Sequence, residues 1–402
     1  MEIRLLAAAA ALLASAPVRA DVVIDWAEYA VKLEPGAGDA PEAGLASSKM
    51  AIAMFEAANA IDHRYASFLG MAAARRGASL DAAVIAAARD ALVGCYPDKK
   101  ARIVENAAFA IAALPDSAES KSAGEAVGAA AAVLALTHVG LDTTVIQKAY
   151  RPFTRPGTWV GASLPVFEPY NQALKPWVIG RIDAVRPGPP PALASDRYAS
   201  HLNEVKRLGG RQSTERTAHQ TLMARYRITP NLMPMMRYIA DMPGRSTVQN
   251  ARMLARQWIA EYDERLAMVD AKMHYNFWRP ITAIRNAEDD GNPATVPDPG
   301  WLPFINTPNH PEYPCGHCGY AAVAATMLAA EVGDAPPGGV VVASESIPDA
   351  VVMRMPTFDD WVRQVSLSRT LGGVHYRFSN EAGEEIGRAV ATRVLKIMRP
   401  LR

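Results

Sequence analysis

Apolar side chains that recur at helical spacing constrain this chain more than any other feature. Residues 50–61, 80–92 and 103–114 each show the 3.6-residue period of a helix with a buried face. Residues 122–139 are rich in Ala. Ala has the strongest intrinsic helix preference, and small side chains let helices approach closely. The 30 Pro and 27 Gly fall mostly between these segments. The expected architecture is therefore all-α, a helical bundle with long ordered connections. Half of the residues are hydrophobic, which excludes a disordered chain. A length of 402 residues allows one large core or two packed domains.

The pattern divides into a leader at 1–20, an N-terminal helical region with its connection at 21–190, and a C-terminal region at 191–402 packed against it. Residues 22–34 form a short strand or helix. The connection, from about 150 to 191, interleaves Phe153, Trp159, Phe167, Tyr170 and Trp177 with Pro and Gly. Such a segment is ordered but irregular, its aromatics burying against helices or lining an entrance. Helices are expected again at 196–208 and 214–226. A long one should run from Ser246 to about Phe277, opened by a capping box of Ser246 and Gln249. Two more are expected from near His317 to Ala330 and over 381–398.

Residues 1–20 read as a secretory signal. Arg4 precedes an apolar run, and Val18-Arg19-Ala20 offers a cleavage site before Asp21. Removing Glu2, Arg4 and Arg19 would take the formal charge from +1 to 0. A neutral balance gives no reason to expect nucleic acid or an anionic membrane as partner. The best apolar stretch of the mature chain, 123–139, contains Gly, Glu, Thr and His, so no stable membrane insertion is expected. The expected location is periplasmic or extracellular. Three cysteines do not make a disulfide scaffold. Cys315 and Cys318 could pair in an oxidising compartment, at the cost of strain at a helix start, leaving Cys95 as a free thiol.

Three spaced motifs carry the chemistry. Lys272 and Arg279-Pro280 stand seven residues apart, which on one helix is nearly two turns and puts both cations on one face. Two cations there need an anion or carboxylates between them. Pro314-Cys315-Gly316-His317 precedes a helix, whose first N–H groups face an anion and whose Gly permits close approach. Ser368-Arg369 is followed by Gly372-Gly373 and His375, a bend that would bring a guanidinium fork beside an imidazole. Each motif alone also fits a bland role: solvated surface cations, a capping His, a loop.

Together, in this order and spacing, the motifs resemble the vanadium-dependent haloperoxidase and type 2 phosphatidic acid phosphatase superfamily, in its bacterial secreted haloperoxidase-like branch. The family pattern is Lys, six residues, Arg-Pro; Pro-Ser-Gly-His; Ser-Arg, five residues, His. The approach Thr307-Pro308-Asn309-His310-Pro311-Glu312-Tyr313 looks like the same relatives. The resemblance implies that Lys272, Arg279, Arg369 and the Gly316 N–H hold the oxyanion. It makes His317 the acid–base residue, and His375 the axial vanadate ligand or phosphoryl-accepting nucleophile. Vanadate is the implied cofactor, and phosphate could occupy the same site. The implied reaction is oxidation of bromide or iodide by hydrogen peroxide. Lys272 would polarise the peroxide, and an organic acceptor could be halogenated. His310 is the residue that tilts the halide toward bromide or iodide.

Two departures accompany the resemblance. Cys315 stands where Ser is usual, a weaker donor and one open to oxidation. Ser379 stands four residues after His375, where phosphatase relatives place an Asp that orients the nucleophile. That substitution weakens the phosphatase reading more than the peroxidase reading. A soluble acid phosphatase working through a phosphohistidine, and a non-catalytic oxyanion-binding protein, remain the alternatives. Cys315-Gly316-His317-Cys318 also matches the dithiol motif of disulfide isomerases, but no strand–helix pattern surrounds it. A monomer and a homodimer are both compatible with the sequence.

Overall fold

The computed structural model describes residues 21–33, 41–139, 151–161, 174–226, 230–344, 346–347 and 353–401. The leader read at 1–20 lies outside the described residues, as do Phe167 and Tyr170 of the connection.

The fold is all-α, as the sequence periodicity predicts. The N-terminal half contains α1 (Val22–Leu33), α2 (Pro41–Asp62), α3 (Leu80–Cys95), α4 (Lys100–Ala112) and α5 (Ala118–His138). Ser79 and Ser117 cap α3 and α5 by accepting from backbone N–H groups three residues on, which satisfies donors the helix itself leaves unpaired. The C-terminal half contains α6 (Asp196–Leu208), α7 (Ala218–Tyr226), α8 (Met233–Ala240), α9 (Thr247–Tyr275), α10 (Pro280–Arg285), α11 (Gly316–Val332), α12 (Phe358–Leu371) and α13 (Arg377–Val394). Three short strands, β1 (Pro230–Asn231), β2 (Val340–Ser344) and β3 (Met353–Met355), pair antiparallel in the order β1-β2-β3. The sequence reading assigns neither this sheet nor α8 and α12, and it starts α13 four residues late.

The long α9 is the axis. Its capping box forms as expected, and most of its residues are buried. One continuous apolar core joins residues of α1 to α5 with residues of α9, α11 and α13. The irregular connection is fastened to α9 by a buried carboxylate. Asp263 accepts from the N–H groups of Trp177, Val178 and Ile179 at 2.7–3.0 Å. Trp159 and Trp177 are buried, whereas Phe153 is exposed, so burial against helices is the fate of two of the aromatics.

At the other face of α9, α11 is clamped by α13. A Cβ at Gly383 would overlap the carbonyl oxygen of Cys315, and one at Gly387 that of Gly319. The two backbones therefore touch where α11 begins. Glu264 of α9 fits into the notch left by Gly319. Burial pushes its carboxyl up to about 8, partly opposed by Arg265 and Lys272. A carboxyl raised in the folded state favours folding most when protonated, so its contribution is fully present below pH 4.5 and is lost as pH rises through about 8. Glu264→Gln, which cannot ionise, should become progressively more stable relative to wild type across that window. Urea midpoints at a series of pH values check this; a pH-independent difference would contradict it.

Among the described residues no helix is long and apolar enough to cross a membrane.

Candidate oxyanion site

The three motifs converge at the C-terminal end of α9, though not for the reason their spacing suggests. Lys272 lies in the last turn of α9, but the helix stops at Tyr275 and Asn276 takes a left-handed conformation with φ 45°. Asn and Gly tolerate that region best. The chain reverses there, and Arg279 becomes the residue that opens α10, with Pro280 in the first helical position. Lys272 and Arg279 meet because the backbone turns back, not because they share a helical face. Backbone bonds from Trp159 to Asn276 and from Trp278 to Gly157 hold the reversal against the connection.

Arg369 lies in the last turn of α12, and His375 follows in the turn before α13. Gly373, at φ 79°, supplies the positive φ that L side chains avoid. Val374 donates to the Arg369 carbonyl at 3.2 Å. This is the tight bend expected of the Gly pair. Cys315 is the N-cap of α11, and Gly316 and His317 are its first two residues. His317 is partly exposed and close enough to His310 to lower its basicity.

The cluster is buried to an unusual degree for charged groups. Lys272, Arg279 and Arg369 are 4%, 1% and 2% exposed. Burial and mutual repulsion disfavour their charged forms. Lys272 is held well below its ordinary value, first by burial and then by Arg279. Arg279 is lowered to about 10 by burial, against the pull of Glu312. Arg369 is lowered to about 9 by burial and by Arg279. Cations that are rarely buried without partners are thus collected in one place.

Arg279 is the hub. Its Nε donates to the His310 carbonyl at 3.0 Å and one terminal nitrogen to the Val374 carbonyl at 2.8 Å. The same nitrogen lies 3.2 Å from His375 Nε2, and the other lies 3.0 Å from His310 Nδ1. An arginine only donates and a carbonyl only accepts, so His375 Nε2 accepts from Arg279, whereas His310 Nδ1, also 3.0 Å from the Pro311 carbonyl, can serve only one of its two neighbours. Lys272 Nζ donates to the carbonyls of Pro311, at 3.1 Å, Glu312, at 2.9 Å, and Pro314. In this state Lys272 braces the approach segment, and its charge reaches the site through space.

The residue that the motifs do not mark is Glu312. It is fully buried, and its Oε1 accepts from His375 Nδ1 at 2.7 Å and from the Tyr376 N–H at 3.1 Å. Burial raises its carboxyl to about 7, opposed by Arg279 and Lys272. Ser379, at the position of the absent Asp, lies 3.4 Å from His375 Nδ1 and also bonds Glu312. The carboxylate that orients His375 therefore comes from a segment 63 residues away in sequence. A carboxylate within the Pro-rich 307–314 approach to a basic cluster is the signal that could have flagged it.

These bonds fix the chemistry of His375. Nδ1–H donates to Glu312 and Nε2 carries the lone pair beneath Arg279. Burial, then Arg279, Lys272 and Arg369, keep the ring neutral by lowering its basicity well below the ordinary value. A neutral imidazole whose second nitrogen is held by a carboxylate is suited to metal ligation or nucleophilic attack. His310, likewise depressed by burial and by Arg279, is neutral beside it.

Cys315 and Cys318 are disulfide-bonded, so the pairing allowed by the sequence is present at the helix start, and Cys95 is a free thiol of intermediate exposure. Among the described residues no group of three or more His, Cys, Asp or Glu is arranged for a metal cation. The donor set here is cationic and suits an anion.

Residues 252–402 match a family model described as the VCPO second helical-bundle domain. No curated protein sequence matches. Among solved structures, a bacterial vanadium-dependent iodoperoxidase superposes with a TM-score of 0.76 at 19% identity, covering 95% of this chain and 96% of the other. A holo-type bacterial vanadium-dependent chloroperoxidase gives 0.69 at 15%, covering 94% and 93%. Its apo-type counterpart gives 0.66 at 15%, covering 89% and 93%. The chain has the all-α fold of the bacterial vanadium-dependent haloperoxidases, with its C-terminal part matching the family model of their second helical bundle.

Proposed function

We propose that this protein is a vanadate-dependent haloperoxidase that oxidises bromide or iodide with hydrogen peroxide. The observation that supports it most is a buried cationic cluster: Lys272, Arg279 and Arg369 gather around a neutral His375, and the two carboxyls that act on Lys272, those of Glu312 and Glu264, are both raised by burial. Such a cluster is complementary to a tetrahedral oxyanion. His375 Nε2 would ligate vanadate, the three cations and the Gly316 N–H would hold its oxygens, and phosphate would fit the same donors. Bound vanadate would supply Lewis-acid activation of hydrogen peroxide toward a halide. Arg279, now over Nε2, would turn its N–H groups to the oxyanion. Glu312 would keep the proton on Nδ1, and His317 would move protons at the open side. His310, on Arg279, is our candidate for halide selection. An organic acceptor could be halogenated nearby, in the periplasm or outside the cell.

One observation favours a second reading. Glu312 supplies the orienting carboxylate that Ser379 cannot, so His375 is also equipped to attack phosphorus as a phosphatase nucleophile. Metal-stripped protein titrated with vanadate separates the two. Saturable, peroxide-dependent bromide or iodide oxidation is expected, falling in His375→Ala to the level of vanadate-free protein. Phosphate-ester hydrolysis inhibited by vanadate, without halide oxidation, would establish the phosphatase instead. Binding without either turnover would leave an oxyanion-binding protein.

A further inference from the structure

We propose that Cys315 and Cys318 form a peroxide-responsive thiol pair, in which Cys315 is oxidised first, Cys318 resolves it, and the resulting disulfide weakens oxyanion binding. The inference rests on the oxyanion-site reading above and assigns a role to Cys318, which that reading leaves unused.

The surroundings of the two sulfurs differ in sign. Cys315 is the N-cap of α11, and its Sγ accepts from the Cys318 N–H at 3.2 Å. An N–H at a helix start stabilises the negative charge that builds on this sulfur as its S–H bond gives way to peroxide. Cys318 Sγ instead faces Asn380 Oδ1 at 3.4 Å. Asn380 is buried, and its amide nitrogen is occupied by the Ser366 carbonyl at 2.8 Å and Thr370 Oγ1 at 3.0 Å. Those two bonds fix the orientation of the amide, so an acceptor points at Cys318. A disulfide sulfur carries no proton to give it; a thiol does. The structure thus holds a seat for the reduced Cys318 beside a seat for the reactive Cys315.

The Cα atoms of the pair are 5.4 Å apart, and the bond spans three residues. So short a loop restricts the unfolded chain little, and a role in stabilising the fold is correspondingly small. Both cysteines are fully buried in the bonded form, which excludes exchange with protein thiols of the disulfide-isomerase kind and leaves a small oxidant. Gly316 and His317, immediately beside Cys315, are partly exposed.

The chemistry balances with hydrogen peroxide, the co-substrate of the proposed reaction. The Cys315 thiol and peroxide give a sulfenic acid and water. The Cys318 thiol then attacks that sulfur and releases a second water, leaving the disulfide. Without Cys318, a second peroxide would carry Cys315 on to the sulfinic acid, which thiols and phosphines do not reverse. In the disulfide, Cys315 has no S–H to offer an anion on Gly316, and its sulfur takes up the Cys318 N–H. Loss of one weak donor to a charged acceptor corresponds to about a fivefold loss of affinity.

The test uses full-length mature protein, reduced with a phosphine and desalted, before and after brief exposure to hydrogen peroxide. Inorganic phosphate binding is followed by calorimetry, and peptide mass mapping scores Cys95 separately. Wild type should convert to the Cys315–Cys318 disulfide, bind phosphate about fivefold more weakly, and recover fully on reduction. Cys318→Ser should gain two oxygens on Cys315 and fail to recover. Equal phosphate affinity of the reduced and disulfide forms, or full recovery of Cys318→Ser, would overturn the proposal while leaving the oxyanion site standing. Absence of phosphate and vanadate binding in both forms would overturn the proposal and the site together.

Discussion

Arg369→Met is expected to lose most of its oxyanion affinity while the ligand-free protein melts within about 2 °C of wild type. Arg369 is buried, and burial together with Arg279 lowers its guanidinium to about 9. A base whose folded value is lowered carries a cost in its charged form at neutral pH. Replacing it with an apolar side chain of similar length removes that cost and one of the repulsions on Arg279 and Lys272. Those gains offset the bonds and packing that Arg369 provides. Burying a paired charge is often no better than burying a hydrophobe, whereas losing one partner of a formed pair is costly. The bound state is where the loss falls: truncating one member of a buried charge pair costs about 2–5 kcal/mol, or roughly 30-fold to several thousandfold in affinity. Calorimetric titration with phosphate and with vanadate, beside melts in phosphate-free buffer, measures both halves. A variant that melts far lower, or binds phosphate as wild type does, would show that Arg369 holds structure rather than ligand.

Glu312→Gln should keep its fold and lose turnover. Gln keeps an oxygen that can accept from His375 Nδ1 and from the Tyr376 N–H, the two bonds that Glu312 Oε1 makes. What it removes is a negative charge facing Lys272 and Arg279. Glu312 titrates near 7, so the comparison belongs at pH 8, where it is ionised. Burial outweighs the pull of Arg279 and Lys272, so the ionised carboxylate is the disfavoured form in the fold, and its contribution is present below pH 4.5 and lost as pH rises through about 7. The ligand-free variant, which cannot ionise, should therefore be at least as stable as wild type at pH 8. Phosphate, which supplies negative charge to the cluster, should add more stability to the variant than to wild type at equal phosphate concentration, because the Glu312 carboxylate no longer repels it. Turnover should fall about 10- to 100-fold, as for other partners that orient a ligating His. Urea unfolding at pH 8 with and without phosphate is the deciding measurement. A variant that loses stability at pH 8 would mean that the pairing of the carboxylate with Arg279 and Lys272 outweighs its burial.

The sequence by itself determined what depends on local spacing. The helical period in α2, α3, α4 and α9, the capping box at Ser246, and the bend at Gly372-Gly373 are properties of neighbours in the chain, and the structure has them. The three motifs were legible for the same reason, because unlike residues at fixed intervals are improbable together. The small sheet was not legible, since strands of two, five and three residues carry too few side chains for a period, and β1 meets β2 from more than 100 positions away. The helix carrying Arg369 has a local signal in Thr357, which caps it by accepting from the Asp360 N–H.

Tertiary structure alone decided who serves His375. An Asp four residues on would have been read from the sequence, because one helical turn fixes that distance. Glu312 reaches the same nitrogen from a segment distant in sequence, one braced by Lys272. Likewise, Lys272 and Arg279 meet through a left-handed Asn276 that reverses the chain, where the spacing suggested one helical face. Spacing specifies geometry only as far as a regular element continues; beyond its end, only the packed chain sets which side chains meet.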